Sequence, residues 1–251
     1  MSAELSAKQA PDWLEADWPA PPNVRTLITT RNGGVSAAPF HSLNLGLHVG
    51  DDPAAVAANR ALLRQQLPAE PAWLNQVHGV TVLNAAEVGA QPPDADASFS
   101  RQPGTVCAVM TADCLPLLLC NSEGTVVAAA HAGWRGLCDG VIEAAVAACN
   151  ERPARLMAWL GPAIGPDAFE VGAEVRAAFM ERNPAAAAAF SDIGDGKYLA
   201  DIYALARQRL NAAGVEQIYG GEECTVIDRA RFFSYRRDGQ TGRMASLIWL
   251  E

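Results

Sequence analysis

The chain has 251 residues, 50% of them hydrophobic and 19% charged, with 28 acidic against 19 basic side chains and a formal net charge of −9. A chain of this length buries a core without staples, and the absence of any Lys/Arg cluster excludes a nucleic-acid binder. No run of about 18 apolar residues is present to span a membrane, and residues 1–22 carry Glu4, Asp12, Glu15 and Asp17 where a signal peptide has a basic start and an apolar stretch, so the expected compartment is the cytoplasm.

Residues 24–30 predict a strand that ends at Arg31-Asn-Gly-Gly34, where Asn-Gly suits a tight turn. A helix follows over 52–67, with Pro53 in its first turn and Val56, Leu62, Leu63 and Leu67 on its apolar face. Short strands over 73–77 and 80–84 flank His78-Gly79. The nearly all-apolar runs 105–110, 115–120 and 125–130 predict strands covered on both faces. An Ala-rich helix over 136–150 and a strand over 155–160 come next, then helices over 172–182 and 201–213 and strands over 217–219, 225–227 and 246–250. The Ala run 185–189 reads as a surface helix or as a connection.

This order predicts an α/β fold: one layered domain over 1–251, a mixed β-sheet core flanked by helices, with residues 1–20 loosely ordered. The alternative is two smaller domains meeting near residue 100, at Pro92-Pro93 or Pro103-Gly104. Cys107, Cys114, Cys120, Cys138, Cys149 and Cys224 sit mostly in apolar runs and are expected to be reduced.

Chemistry concentrates in His131-Ala-Gly-Trp-Arg-Gly136, Asp113-Cys114 and Asn75-Gln-Val-His-Gly79, which hold two of only 4 histidines. His78, Cys114 and His131 make a borderline-soft donor set, and three protein ligands with a fourth position open are the pattern of a catalytic zinc site. The same residues also fit a cysteine hydrolase, with Cys114 as nucleophile, His131 or His78 favouring its thiolate and Asp113 orienting the imidazole. The two readings compete, because a thiolate committed to zinc is a poor nucleophile. Arg31 and Arg135 are candidates for gripping an anion, and Trp134 either walls the pocket or packs. Residues 232–243 suit a loop near a site or a sheet-closing turn. The glycine-rich nucleotide loops are absent, as is the signature of cytidine-type deaminases.

Thr29-Thr-Arg-Asn-Gly-Gly-Val-Ser36, Ser42-Leu-Asn-Leu-Gly46 with His48-Val-Gly-Asp51, Asn75-Gln-Val-His-Gly79, Thr111-Ala-Asp-Cys-Leu-Pro116, His131-Ala-Gly-Trp-Arg-Gly136 and the 232–243 segment, in that order, closely resemble the YfiH family, also labelled the peptidoglycan editing factor or laccase-domain family. The resemblance implies a fold shared with the catalytic domains of deamidating toxins and a zinc site at His78, Cys114 and His131. It further implies phosphorolysis of adenosine, inosine, guanosine and methylthioadenosine and deamination of adenosine, so that the expected partners are a nucleoside and phosphate, with no nucleic acid, membrane or obligate protein partner. The family has also been called a copper polyphenol oxidase and linked to editing of UDP-muramoyl-amino acid precursors. A multicopper centre needs more imidazoles than 4 histidines furnish, which reduces copper to a substitute for zinc (Cu2+ for Zn2+) at the same ligands. For phosphorolysis, Arg31 and Arg135 are expected to hold phosphate and Asn44, Gln76 or Asp113 to contact base or sugar. A non-catalytic, closed metal site would need Cys224 or His48 as fourth ligand.

Overall fold

The structure, a computed structural model, describes residues 12–251. Strand β1 (Val24–Ile28) is followed by helix α1 (Pro53–Arg64), then by strands β2 (Val82–Asn84), β3 (Ala97–Ser100), β4 (Cys107–Thr111), β5 (Leu115–Asn121) and β6 (Val127–Ala132). Helices α2 (Trp134–Asp139) and α3 (Val141–Ala148) lead to β7 (Leu156–Leu160), β8 (Glu170–Gly172), α4 (Ala173–Arg182), β9 (Phe190–Gly194) and β10 (Lys197–Ala200). Helix α5 (Ile202–Ala212), β11 (Gln217–Gly220), the short α6 (Tyr235–Asp238) and β12 (Met244–Leu250) complete the chain.

A six-stranded sheet in the order β11-β7-β5-β6-β3-β2 forms the centre. It is mixed: β11 and β7 are parallel, as are β2 and β3, and the pairings between them are antiparallel. Strands β5 and β6 are buried throughout and, apart from Asn121 and His131, apolar, because both of their faces are covered. Leu117, Leu119, Ala128 and Ala130 pack with Val141, Ile142 and Ala145 of α3 and Leu205 and Leu210 of α5. The alternate residues Leu118, Cys120, Val127 and Ala129 pack with Val109 of β4, Ile28 of β1 and Ile248 of β12. These last strands make a second, antiparallel sheet in the order β1-β12-β4. Its outer residues, Ala108, Met110, Ala245, Leu247 and Trp249, are covered by Leu43, Leu45, Leu63 and Leu67. The result is four layers: helix, sheet, sheet, helices. A small sheet, β8-β10-β9, is hydrogen-bonded to neither, and its Val171, Phe190 and Ala200 join the core on the α3 and α5 side of the six-stranded sheet.

The mixed α/β architecture matches the expected fold class, and several local expectations need correction. The helix over 136–150 is two helices, because Gly140 adopts φ 109° and ends α2 in the left-handed region. Residues 73–77 are no strand: Ala72 and Asn75 make single bridges, to Cys107 and Asp94. Near 225–227 there is likewise only a bridge, between Cys224 and Ala163. The Ala run is a 3₁₀ helix over Pro184–Ala189. Proline residues near 92 and 103 mark no boundary, since β3 on one side pairs with β6 on the other and β1 pairs with β12. Of the segment expected to be loose, residues 1–11 lie outside the described residues, while Leu14 exchanges 2.8 Å backbone hydrogen bonds with Ile28. All six cysteines are free thiols. Among the described residues, no helix is long and apolar enough to cross a membrane.

Candidate metal centre

The strand register brings the three candidate donor residues to one end of the six-stranded sheet. Pro116 of β5 stands opposite His131 of β6, so Cys114, at the entry to β5, lies next to the end of β6. Strand β3 runs antiparallel to β6 and begins at the same end, with Asp96 just before it, and β2 follows the His78 turn in parallel. The donor atoms of His78, Cys114 and His131 all lie within 4.8 Å of one another. Cys114 Sγ is 3.8 Å from His78 Nε2, and the two imidazole rings meet edge to face at 4.8 Å.

The turn that presents His78 is held by a residue that sequence reasoning missed. His78 has φ 61°, an uncommon backbone for a side chain of its size. The fully buried Asp96 carboxylate accepts the N–H groups of Val77 (3.1 Å), His78 (2.9 Å) and Gly79 (2.7 Å), which wraps the turn around it. Asp96 Oδ1 also lies 2.8 Å from His131 Nδ1. A ring nitrogen donating to that carboxylate leaves Nε2 as the lone-pair donor, the arrangement that orients histidine toward a metal. Glycine completes the cradle: a Cβ on Gly133 would stand 2.8 Å from His78 Cδ2 and 3.0 Å from Cys114 Sγ, and one on Gly136 would stand 2.8 Å from the Gly79 carbonyl oxygen. Helix α2 therefore leans directly on the ligand turn.

Burial opposes ionisation of Cys114, but the positive charge and hydrogen bonds of His131 and His78 outweigh it and bring the thiol down to about 6. The same pairing, with Asp96 behind it, overcomes the burial of His131 and lifts its imidazole to about 9. Asp96 is held below the usual carboxylate range: burial would raise it, and the hydrogen bonds from His131, Gly79 and Val77 prevail. Cys107, Cys120 and Cys149 are pushed up to about 12 by burial, so reactive thiolate character belongs to Cys114 among these.

A cavity of about 500 Å³ opens over the cluster, lined by His48, Gln76, His78, Cys114, His131 and Arg243 among others. A second, of about 270 Å³, is lined by Trp134, Arg135, Ile164, Phe169, Ile202 and Tyr235 among others. Ala112, Cys114 and Tyr235 border both.

The remaining expected site residues fall in different places. Asp113, with φ 93°, lies beside Cys114, but Thr225 Oγ1 (2.6 Å) and the Arg236 N–H (2.7 Å) occupy its carboxylate oxygens. It ties the α6 segment to the site, and the carboxylate at the imidazole is Asp96 instead. Gln76 borders the larger cavity while its amide grips both the N–H and the C=O of Met110 at 2.7 Å. Asn44 is buried behind the wall, where its oxygen accepts the N–H groups of Gly46 and Arg243 at 2.9 Å. Arg135 lies over the Trp134 ring at 4.5 Å, in the smaller cavity. Arg31 donates to the carbonyls of His41 and Arg229 and lines another cavity, with Arg229 and Arg237. Cys224 accepts the Gly165 N–H at 3.2 Å in a separate pocket. Among the described residues, the donor cluster holds three side chains, and neither Cys224 nor His48 joins it. Missed by sequence reasoning were Asp96, Arg243 and Tyr235, and His48 as a wall of this cavity. The signal for the last three was their place in the quoted motifs.

Two imidazoles, a thiolate favoured at neutral pH and a carboxylate fixing one imidazole tautomer suit zinc, and the same N/S set accepts copper(II). Of the four histidines, only His78 and His131 belong to the cluster, so the ligands for a multinuclear copper centre are not assembled.

A family model described as multi-copper polyphenol oxidoreductase laccase matches residues 25–251. The purine nucleoside phosphorylase YfiH of Escherichia coli K12 is 60% identical over 235 residues, covering 93% of this chain and 96% of that protein. A Pseudomonas aeruginosa purine nucleoside phosphorylase is 57% identical, covering 95% and 98%. Among solved structures, a Neisseria meningitidis protein superposes with a TM-score of 0.94 at 60% identity, covering 96% of this chain and 99% of that one. YlmD from Geobacillus stearothermophilus superposes at 0.90 with 33% identity, covering 98% of each.

Proposed function

This chain belongs to the YfiH family of laccase-domain proteins, and from that premise we propose that it is a zinc-dependent purine nucleoside phosphorylase. Its substrates on this reading are adenosine, inosine, guanosine and methylthioadenosine, with adenosine deamination at the same centre. The observation that carries the reading is the position of the His78, Cys114 and His131 cluster where a cavity bordered by His48, Gln76 and Arg243 meets one bordered by Trp134, Phe169 and Tyr235. A nucleoside has the matching division, with a flat apolar base joined to a polyhydroxylated sugar. Trp134, Phe169 and Tyr235 offer faces for the purine, and Arg135 lines the same aromatic cavity while Gln76 lines the larger one. Asp113 acts by anchoring α6, which carries Tyr235.

In phosphorolysis a phosphate oxygen bonds to ribose C1′ while the bond from C1′ to the purine nitrogen breaks. The bonding pair leaves with the base, which takes up the proton brought by phosphate, and ribose 1-phosphate is the second product. His78, Cys114 and His131 would hold the zinc, which would supply Lewis acidity at this site. Asp96, 2.8 Å from His131 Nδ1, keeps His131 in the required tautomer.

Metal analysis combined with an adenosine and phosphate assay tests the proposal, since adenine, inosine and hypoxanthine report separate steps. Chelation should abolish product formation and zinc should restore it. Full phosphorolysis by His131→Ala with undiminished zinc would sink the reading. One observation favours a second reading: a Cys114 thiol at about 6 beside two imidazoles also suits a nucleophile that edits UDP-muramoyl-amino acid precursors. Activity that resists chelators and is lost to alkylation would select it.

A further inference from the structure

Phosphorolysis needs a grip on a divalent anion beside the reacting carbon, and the larger cavity contains a guanidinium suited to it. Arg243 lines that cavity with all three cluster residues. Its stem is fixed from two sides. Asn44 Oδ1 accepts its backbone N–H at 2.9 Å, and Gly46 packs so closely that a Cβ there would stand 2.9 Å from Arg243 Cγ. Nη1 donates to the carbonyls of Thr241 (3.1 Å) and Gly242 (3.0 Å), which orients the guanidinium plane.

Two nearby arginines have carboxylate partners, Arg231 with Glu223 and Asp228 and Arg237 with Asp238, while the Arg236 side chain donates to the carbonyls of Ala168 and Glu170 and lines the aromatic cavity. Among the described residues, Arg243 makes no ion pair. Burial destabilises its charge and lowers its pKa, and the opposing pull of Cys114, Asp113 and Tyr235 does not make up for it. A bound anion would relieve that cost. His48 borders the same cavity, and burial followed by the charges of Arg243 and Arg60 depresses its pKa. It therefore adds a neutral imidazole donor near neutral pH and no competing negative charge. Of the two arginines favoured by sequence, Arg31 lines a cavity holding none of the cluster, and Arg135 lines the aromatic one.

We infer that Arg243, assisted by His48, forms the phosphate subsite, and that Asn44 and Gly46 serve to fix the Arg243 stem. This assignment rests on the phosphorylase reading. Its test is steady-state phosphorolysis of adenosine by zinc-replete enzyme, with phosphate and adenosine varied separately. Arg243→Gln should raise the phosphate KM about 10- to 100-fold, the loss of a charge-assisted contact, with the adenosine KM changed about twofold at most and zinc content intact. Arg243→Lys should fall between this variant and the wild type, since it keeps the charge and loses the fork. The stabilisation of wild-type protein by inorganic phosphate in a melting scan should disappear in Arg243→Gln. A folded, zinc-replete Arg243→Gln with the wild-type phosphate KM overturns the assignment and leaves the phosphorylase reading standing. Failure of the wild type to release ribose 1-phosphate overturns both. Should Arg243→Gln not fold, Arg243→Lys and His48→Asn provide the same readout, and an unchanged phosphate KM in both overturns the assignment.

Discussion

Asp96 binds no metal in this arrangement, yet both imidazoles depend on it. One carboxylate holds three consecutive backbone N–H groups at His78 and the Nδ1 edge of His131. Asp96→Asn keeps the volume but loses the charge and places an amide NH₂ where acceptors are needed. Zinc affinity, measured by competition with a chelating dye, should fall about 10- to 100-fold, and the melting temperature should drop, since each hydrogen bond to a charged group contributes about 1.5–3 kcal/mol. Undiminished zinc affinity in that variant would count against the role. The low pKa of Asp96 also sets a sign: its stabilisation is complete above the ordinary carboxylate range and is lost as pH falls through the folded value. A second residue-scale prediction concerns Cys114. The thiolate is the reactive form, so iodoacetamide should modify metal-stripped protein at a nearly constant rate from pH 9 to 7, halved near pH 6. Cys107, Cys120 and Cys149 should stay unmodified over that range. A rate that rises through pH 8.5, as for an ordinary thiol, would contradict the thiolate assignment. The two histidines of the cluster were legible because a scarce residue type stood in glycine-flanked segments, and Cys114 because of the motif that carries the family resemblance. Asp96 was not, because an acid in Pro92-Pro-Asp-Ala-Asp-Ala97 looks like turn chemistry until folding aims three N–H groups at it.

At the scale of elements, the site depends on how closely α2 approaches the His78 turn. Gly133→Ala adds one methyl group, no charge and good helix propensity, and would normally be harmless at an exposed helix start. Here the methyl meets an imidazole and a thiolate at 2.8 and 3.0 Å. The variant should fold and lose most of its bound zinc, which metal analysis of the purified protein checks; full zinc occupancy would show that the ligands yield without cost. Long or fully covered elements were readable from pattern alone: α1 with Asp52 capping the Ala54 N–H, and β5 and β6 with their unbroken apolar runs. The strands β3, β8, β9 and β10 were not. Each has five residues or fewer, and their pairing is decided by which edge they meet, as when the Ser-containing β3 aligns with the Ala-rich β6. The split between α2 and α3 was hidden because Gly140, whose φ is 109°, is one residue in an otherwise good helix sequence.

At the scale of the molecule, both sheets draw strands from the two halves of the sequence, so the chain should unfold in one cooperative transition by calorimetry and circular dichroism. Two separated transitions would contradict that coupling. Leu118 is fully buried between the sheets, and Leu118→Ala should lower stability by about 2–5 kcal/mol while zinc stoichiometry is kept, because the cavity forms away from the ligand end. The ladder between β1 and β12 has a further consequence. Val24 meets Leu250 and Ile28 meets Ser246, so this sheet closes only when the two extremities of the described chain find each other across nearly all of its length. Closure of so long a loop brings little enthalpic return until late. Refolding should therefore pass through a slow phase in which the apolar β5 and β6 are collapsed but uncovered on one side, a species that invites self-association and rewards dilution or a chaperone.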